Sequence, residues 1–206
     1  MKVNTTTGPL QTLIDSGYKT TMTYAEYRLM VHKLNELGKV TGPKQTPALL
    51  EYSKLNEQRM NRLDKHFVVR EDIAKLLQGI RKKYTWLVIT EGWCGDAAQL
   101  LPMLERMTFL NLNISSRYLL RDENPELMDC YVTGIKRSIP IVICINDQHE
   151  ELWHWGSRPK EGQKVKDDAL KNGADAAEAR EELHSWYAQN KGASFQDEIA
   201  KLLRRM

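Results

Sequence analysis

Cysteine is scarce in this 206-residue chain: Cys94, Cys130 and Cys144 are its three. An odd, scattered set excludes the disulfide framework of a small secreted domain. Long apolar runs are missing as well, none approaching the ~20 residues that span a bilayer, so no membrane partner is expected. Lys2 is followed by Val3, Asn4 and a threonine run rather than an apolar signal core, and the expected location is the cytoplasm. There is no glycine-rich phosphate loop, no Ser/His/Asp arrangement and no carboxylate pair. The five histidines (His32, His66, His149, His154 and His184) stand far apart, and no Cys/His group has zinc spacing. No cofactor and no metal are expected.

Dense basic clusters are also lacking. The formal net charge of +3 hides an asymmetry: residues 1–83 hold 15 Lys and Arg against 8 Asp and Glu, and residues 84–206 hold 15 against 19. The basic charges of the first part follow helical spacing, as solvated helix faces do, so nucleic acid is not an expected partner. Hydrophobic residues, at 41%, suffice for a real core.

Periodicity organises the chain. Thr23 reads as an N-cap, followed at helical spacing by Tyr24, Tyr27, Met30, Val31, Leu34 and Leu37, with Gly38 as the stop. Thr46-Pro47 opens a second helix to about Lys65, and Glu71 to about Lys82 forms a third. Trp86 to Ile89 is a short continuous apolar run, as a buried parallel strand would be. A turn over Gly92 to Gly95 leads into a helix over 97–107, then a strand over 114–120, a short helix from Asn124-Pro125 to Gly134, and a hairpin over 139–145 and 151–155. In Trp153-His154-Trp155 the alternation sends both tryptophans to one face and His154 to the other. Gly156 to Gly162 reads as loop, 164–190 as helical with a break at Gly173, and Ser194 as the cap of a terminal helix. Residues 1–68 are thus expected as a helical extension, and 69–206 as an α/β domain with a helical insertion at about 164–190.

Cys94 stands where the buried strand gives way to a helix. Free amides and the positive dipole end at a helix start favour thiolate over thiol, while the charge of Asp96 opposes ionisation. Cys130, in the short helix, is a candidate distant resolving thiol or an ordinary helix cysteine. Cys144, inside an apolar run, reads as buried and inert. Arg158 reads as a solvated loop arginine or as a binder of an anion or a partner carboxylate.

Trp93-Cys94-Gly95-Asp96-Ala97 resembles the W-C-G-P-C turn of thioredoxins. Asp122-Glu123-Asn124-Pro125 through Gly134 to Ile139-Pro140 resembles the thioredoxin segment ending in its cis-proline. Glu91 to Gln99, with Trp155-Gly156-Ser157-Arg158-Pro159 downstream, is similar to a bacterial thioredoxin-like branch with a single-cysteine W-C-G-D-A-A-Q turn. The likeness covers roughly residues 70–155 and, more weakly, the terminal helix. It implies a thioredoxin-like three-layer α/β/α mixed sheet behind the N-terminal helices. It also implies Cys94 as attacking cysteine and a partner groove built from Trp93, Gly95, Asp96, Ile139 and Pro140, with Ile139-Pro140 cis.

The departures count equally. The second cysteine position is Ala97, and the buried acid of thioredoxins falls on Val88. The expected function is therefore single-cysteine thiol–disulfide exchange, with protein or small-molecule thiols and disulfides as partners and an external thiol as resolver. The alternative is a non-catalytic thioredoxin-fold binding module. The N-terminal helices offer a surface for a partner or a second copy. An iron–sulfur carrier fits less well, because the turn lacks the C-G-F-S form of monothiol glutaredoxins.

Overall fold

The computed structural model describes residues 4–5 and 8–206, so most of the N-terminal stretch read above for a targeting segment lies outside it. The strands form one mixed sheet. Strand β2 (Tyr84–Thr90) runs parallel to β3 (Ile114–Leu120) and antiparallel to β4 (Ile141–Asn146). β4 pairs antiparallel with β5 (Glu150–Gly156), and the two-residue β1 (Asn4–Thr5) lies on β5, for an order β1-β5-β4-β2-β3. β2 is central, and its Trp86, Leu87, Val88 and Ile89 are wholly buried, as the unbroken apolar run requires.

The helical caps behave as their side chains dictate. Thr23 and Glu26 close a capping box at the start of α2 (Tyr24–Glu36), following the short α1 (Pro9–Asp15). The Thr46 hydroxyl accepts the Leu49 N–H ahead of α3 (Pro47–His66), and α4 (Glu71–Gln78) follows. After β2 comes α5 (Gly95–Thr108), which continues through Pro102 without that residue's N–H. The short α6 is Pro125–Asp129. The hairpin is followed by α7 (Lys160–Lys171), α8 (Ala176–Asn190) and α9 (Ala193–Leu203).

Several expectations need correction. α1 has no counterpart in the periodicity reading: Pro9 at its first turn was its signal, but Gly8 offers no capping side chain. α4 stops at Gln78 and α6 at Asp129, each short of the glycine or lysine that composition suggested. β4 begins at Ile141, after Pro140, which has no N–H to give the ladder. Residues 160–162, expected as loop, are the first turn of α7. Ser194 is not the cap of α9. Gly192 is, in a left-handed conformation, while Ser194 turns to Asn190 and Glu161.

The N-terminal helices are built into the core. Met22 and Tyr118 exchange both backbone hydrogen bonds at 2.8 Å, closing the outer edge of β3. The Tyr27 and Tyr118 rings stack with centroids 5.6 Å apart. Met60 on α3 and Tyr27 on α2 are buried in the same apolar cluster as α5 and the sheet.

Candidate functional site

The C-terminal end of β2 carries Thr90 and Glu91 into a turn, and α5 starts directly after Cys94. Cys94 is the N-cap: its Sγ accepts the Ala97 N–H at 3.5 Å and donates to the Ile139 carbonyl at 3.4 Å. The Ile139-Pro140 peptide is cis. Cys94 is buried, 8% exposed as a residue, and forms part of the floor of an open groove of about 510 Å³. Trp93, Asp96 and Ile139 line that groove with it, as do Arg121, Asp122, Lys136, Arg137, Ser138 and Arg158. Gly95 and Pro140 flank it as the first residue of α5 and the residue before β4.

Trp93 is clamped from two sides. Its indole N–H donates to the Thr41 carbonyl at 3.1 Å, and the Arg121 guanidinium lies 4.7 Å from its ring centroid. The extension secures the turn's backbone: Thr41 Oγ1 accepts the Gly92 N–H at 3.0 Å, and the buried Asn56 amide donates to the Gly92 carbonyl at 3.2 Å.

Asp96, in the first turn of α5, is held by two distant elements. Arg158, beyond β5, pairs with it at 2.6 and 3.2 Å, and the Tyr187 hydroxyl on α8 donates to it at 2.7 Å. Arg158 is therefore an ion-paired, largely buried residue of the site rather than a solvated loop arginine. His184, one turn before Tyr187 on α8, sits over the turn: a Cβ on Gly95 would be 2.9 Å from its ring.

A family model for thioredoxin matches residues 42–171. The chain belongs to the thioredoxin family. Among curated proteins none matches. Two solved structures share the fold: an HIV epitope-scaffold (16% identity, TM-score 0.54, covering 89% of this chain and 97% of that one), and a protein of unknown function from Pseudomonas aeruginosa (18%, 0.50, 84% and 99%). Both similarities are of fold alone.

Against the thioredoxin pattern, the second cysteine position is the buried Ala97, and the position of the buried acid is the wholly buried Val88 in β2. The chain does carry a buried acid elsewhere. Glu91, three residues before the thiol, is fully buried, and its Oε1 accepts the Asp122 N–H at 2.9 Å. Burial pushes its carboxyl up, against the Thr41 side chain and the Asp122 N–H.

The thiol itself is not activated in this arrangement. Burial, and then the Asp96 carboxylate, push Cys94 up to about 12, against the help of the Ala97 and Asp96 N–H groups and Arg158. The helix-start effect anticipated from sequence is present but loses to desolvation. His184 is pushed down to about 4, chiefly by burial, with Arg59, Arg180 and Arg158 adding to it, and it is neutral at physiological pH.

The other two thiols stand apart. Cys130 is exposed at the C-terminus of α6, donating to the Glu126 carbonyl at 3.5 Å, and does not line the groove. Cys144 is buried between Trp86 and Trp153 in the sheet, and burial raises its pKa. All three cysteines are unpaired. Among the described residues no group of three potential metal ligands occurs, and no helix is long and apolar enough to cross a membrane. Thr41, Asn56, Arg121, His184 and Tyr187 escaped the sequence reading. Of these, only the spacing of His184 and Tyr187 on one helix face was available as a signal.

Proposed function

We propose that this thioredoxin-family protein carries out single-cysteine thiol–disulfide exchange at Cys94. The observation that carries the reading is the meeting of three features at one atom: a helix-start sulfur, the carbonyl before a cis proline, and the floor of an open groove. The Cys94 sulfur, as thiolate, attacks one sulfur of a partner disulfide. The Cys94–S–S–R bond forms, the partner's S–S bond breaks, and the leaving thiolate takes up a proton from solvent. An external thiol then attacks the mixed disulfide, freeing Cys94 and carrying away the R group. Ala97 in the second position is why the resolving thiol must come from outside, and the partners are protein or small-molecule thiols and disulfides. Residues 1–68 serve as a wall that fixes the turn of the thioredoxin-like part, 69–206. The setting is the cytoplasm, where such thiols are abundant.

A non-catalytic binding module is favoured by one observation, the raised pKa of the thiol. With burial pushing the thiol up to about 12, the thiolate is a minor form at pH 7, and exchange leans on binding in the groove. The two readings separate in a Cys130→Ser background. After incubation with a disulfide-bonded protein, an acid quench and non-reducing mass analysis should find an adduct on Cys94. Added thiol should release it, and Cys94→Ser should abolish it. No adduct on the native protein at pH 8, with a normal adduct on the urea-unfolded chain, would leave the binding module standing.

A further inference from the structure

The charge around the turn restricts what can enter the groove. Its walls carry Arg121, Lys136, Arg137 and Arg158 against Asp96 and Asp122. Three of these cations are paired: Arg121 with Asp122 at 2.8 Å, Arg158 with Asp96 at 2.6 Å, and Arg137 with Asp129, outside the groove, at 2.7 Å. Lys136 is not. Behind the turn stand three more cations: Arg59 on α3, Lys166 on α7 and Arg180 on α8. Among the described residues none of Lys136, Arg59, Lys166 and Arg180 forms an ion pair.

Arg59 is half-buried, 3.8 Å from where a Gly95 Cβ would lie, and its guanidinium reaches the neutral Asn56 Oδ1 at 3.0 Å. A half-buried guanidinium without a carboxylate is uncommon, because burial costs more when the charge is not answered. Arg180 lies against the Tyr52 ring, 5.0 Å from its centroid. Burial is the main influence pushing the Lys166 pKa down; Arg158, Arg180 and Lys136 act the same way, and Asp96 opposes them. Glu181 and Glu182, on the same helix as Arg180, are exposed and bridge to none of these cations.

We propose that the Cys94 groove receives a cysteine-bearing acidic segment of a partner protein, its carboxylates answering Lys136 in the groove wall and, beyond the groove, Arg59, Lys166 and Arg180. The cations come from four separate elements, α3, α7, α8 and the loop before Pro140. A single carboxylate cannot meet them; a run of several can. The covalent step rests on the exchange reading: the segment's disulfide is attacked as described above, and an external thiol resolves the product. The electrostatic fit is independent of it.

The test uses the full chain as Cys130→Ser and three peptides, each with one cysteine activated as a 2-pyridyl disulfide and flanked by four Glu, four Gln or four Lys. Release of pyridine-2-thione reads attack by Cys94, normalised to the urea-unfolded protein. The Glu peptide should react at least about tenfold faster than the Lys peptide at low salt, with the ratio shrinking as salt screens the charges. The ratio should collapse in Lys136→Glu/Arg180→Glu. Equal rates for the three peptides would overturn the acidic partner and leave the exchange reading intact. A 3,3′-dithiodipropionate to cystamine ratio as large as the peptide ratio would overturn the segment in favour of a small acidic disulfide. If Cys94 attacks nothing, the exchange reading fails, and anisotropy decides the surface separately. Binding of a Ser-for-Cys Glu peptide to Cys94→Ser, lost in Lys136→Glu/Arg180→Glu, would uphold it, and no binding would overturn it.

Discussion

Arg158 grips Asp96 through two nitrogens, Nη2 to Oδ2 at 2.6 Å and Nε to Oδ1 at 3.2 Å, two residues beyond the Cys94 sulfur. The pair sets opposed charges on the thiol: Asp96 raises its pKa and Arg158 lowers it, with burial the larger influence. In Asp96→Asn the carboxylate is lost and the guanidinium remains, so both changes act in one direction. The Cys94 pKa should fall by about one to two units, in line with the effect of a nearby charge. Alkylation by iodoacetamide across pH 7–10, in a Cys130→Ser background, should be at least about tenfold faster at pH 8 than without the Asp96 substitution. An unchanged pH profile would mean that burial alone sets the thiol's reactivity.

His184 offers a separate pH signature. Its folded pKa is pushed down to about 4 from an ordinary 6.5, so between these values the unfolded chain binds more protons than the folded one. The stability it contributes is present in full above pH 6.5 and is lost as pH falls towards 4. Thermal midpoints of the protein and of His184→Gln, measured from pH 7.5 to 4, should converge as pH drops through that window. Parallel curves would show that the imidazole titrates normally in the fold.

How far the sequence foretold this arrangement depends on distance along the chain. Cys94, the cis Ile139-Pro140 peptide and the β2–α5 turn were legible because a local motif carries each of them. Thr23 and Thr46 were legible as caps for the same reason: their partners lie three residues away. The residues that set the chemistry were not. Arg158 reaches across 62 residues to Asp96, and Tyr187 across 91. No spacing rule distinguishes such an arginine from a solvated one. The balance at the thiol between helix start and Asp96 was open for a related reason, since burial of the turn by α2, α3 and α8 is invisible in the local sequence. Ser194 was misread because a serine before an apolar run is a strong capping signal. Lys191 and Gly192 both turn left-handed there, and Gly192 takes the role.

Gly156 on β5 pairs with Ile141, next to Pro140. Its φ is +155°, and a Cβ there would collide with the Pro140 carbonyl oxygen and come 2.7 Å from Ile141 Cδ1. The obstruction is backbone, which cannot rotate away. Gly156→Ala should cost on the order of 3 kcal/mol, or about 6–12 °C in thermal midpoint for a chain of this size. Gly173, with φ +95° and nothing within 4 Å of a Cβ, is the control. Gly173→Ala bears only dihedral strain, and should cost about 1–2 kcal/mol. Equal losses at the two sites would mean that the loop yields to a methyl group.

Asn56 joins the helical extension to the turn. Its amide donates to the Gly92 carbonyl at 3.2 Å while its Oδ1 accepts from Arg59 at 3.0 Å, and the residue is wholly buried. Asn56→Ala leaves a buried carbonyl and a half-buried guanidinium each short of a partner, a loss of about 1–3 kcal/mol. Its second effect is local. With the Gly92 end of the turn released, the amides of Gly92 to Cys94 should exchange with solvent faster, and Cys94 should alkylate faster at pH 8 as its burial relaxes. Leu55→Ala, an exposed position on the same helix, should leave both rates alone. A stability loss in Asn56→Ala with no change in turn exchange or alkylation would mean that α3 supports the fold without governing the thiol.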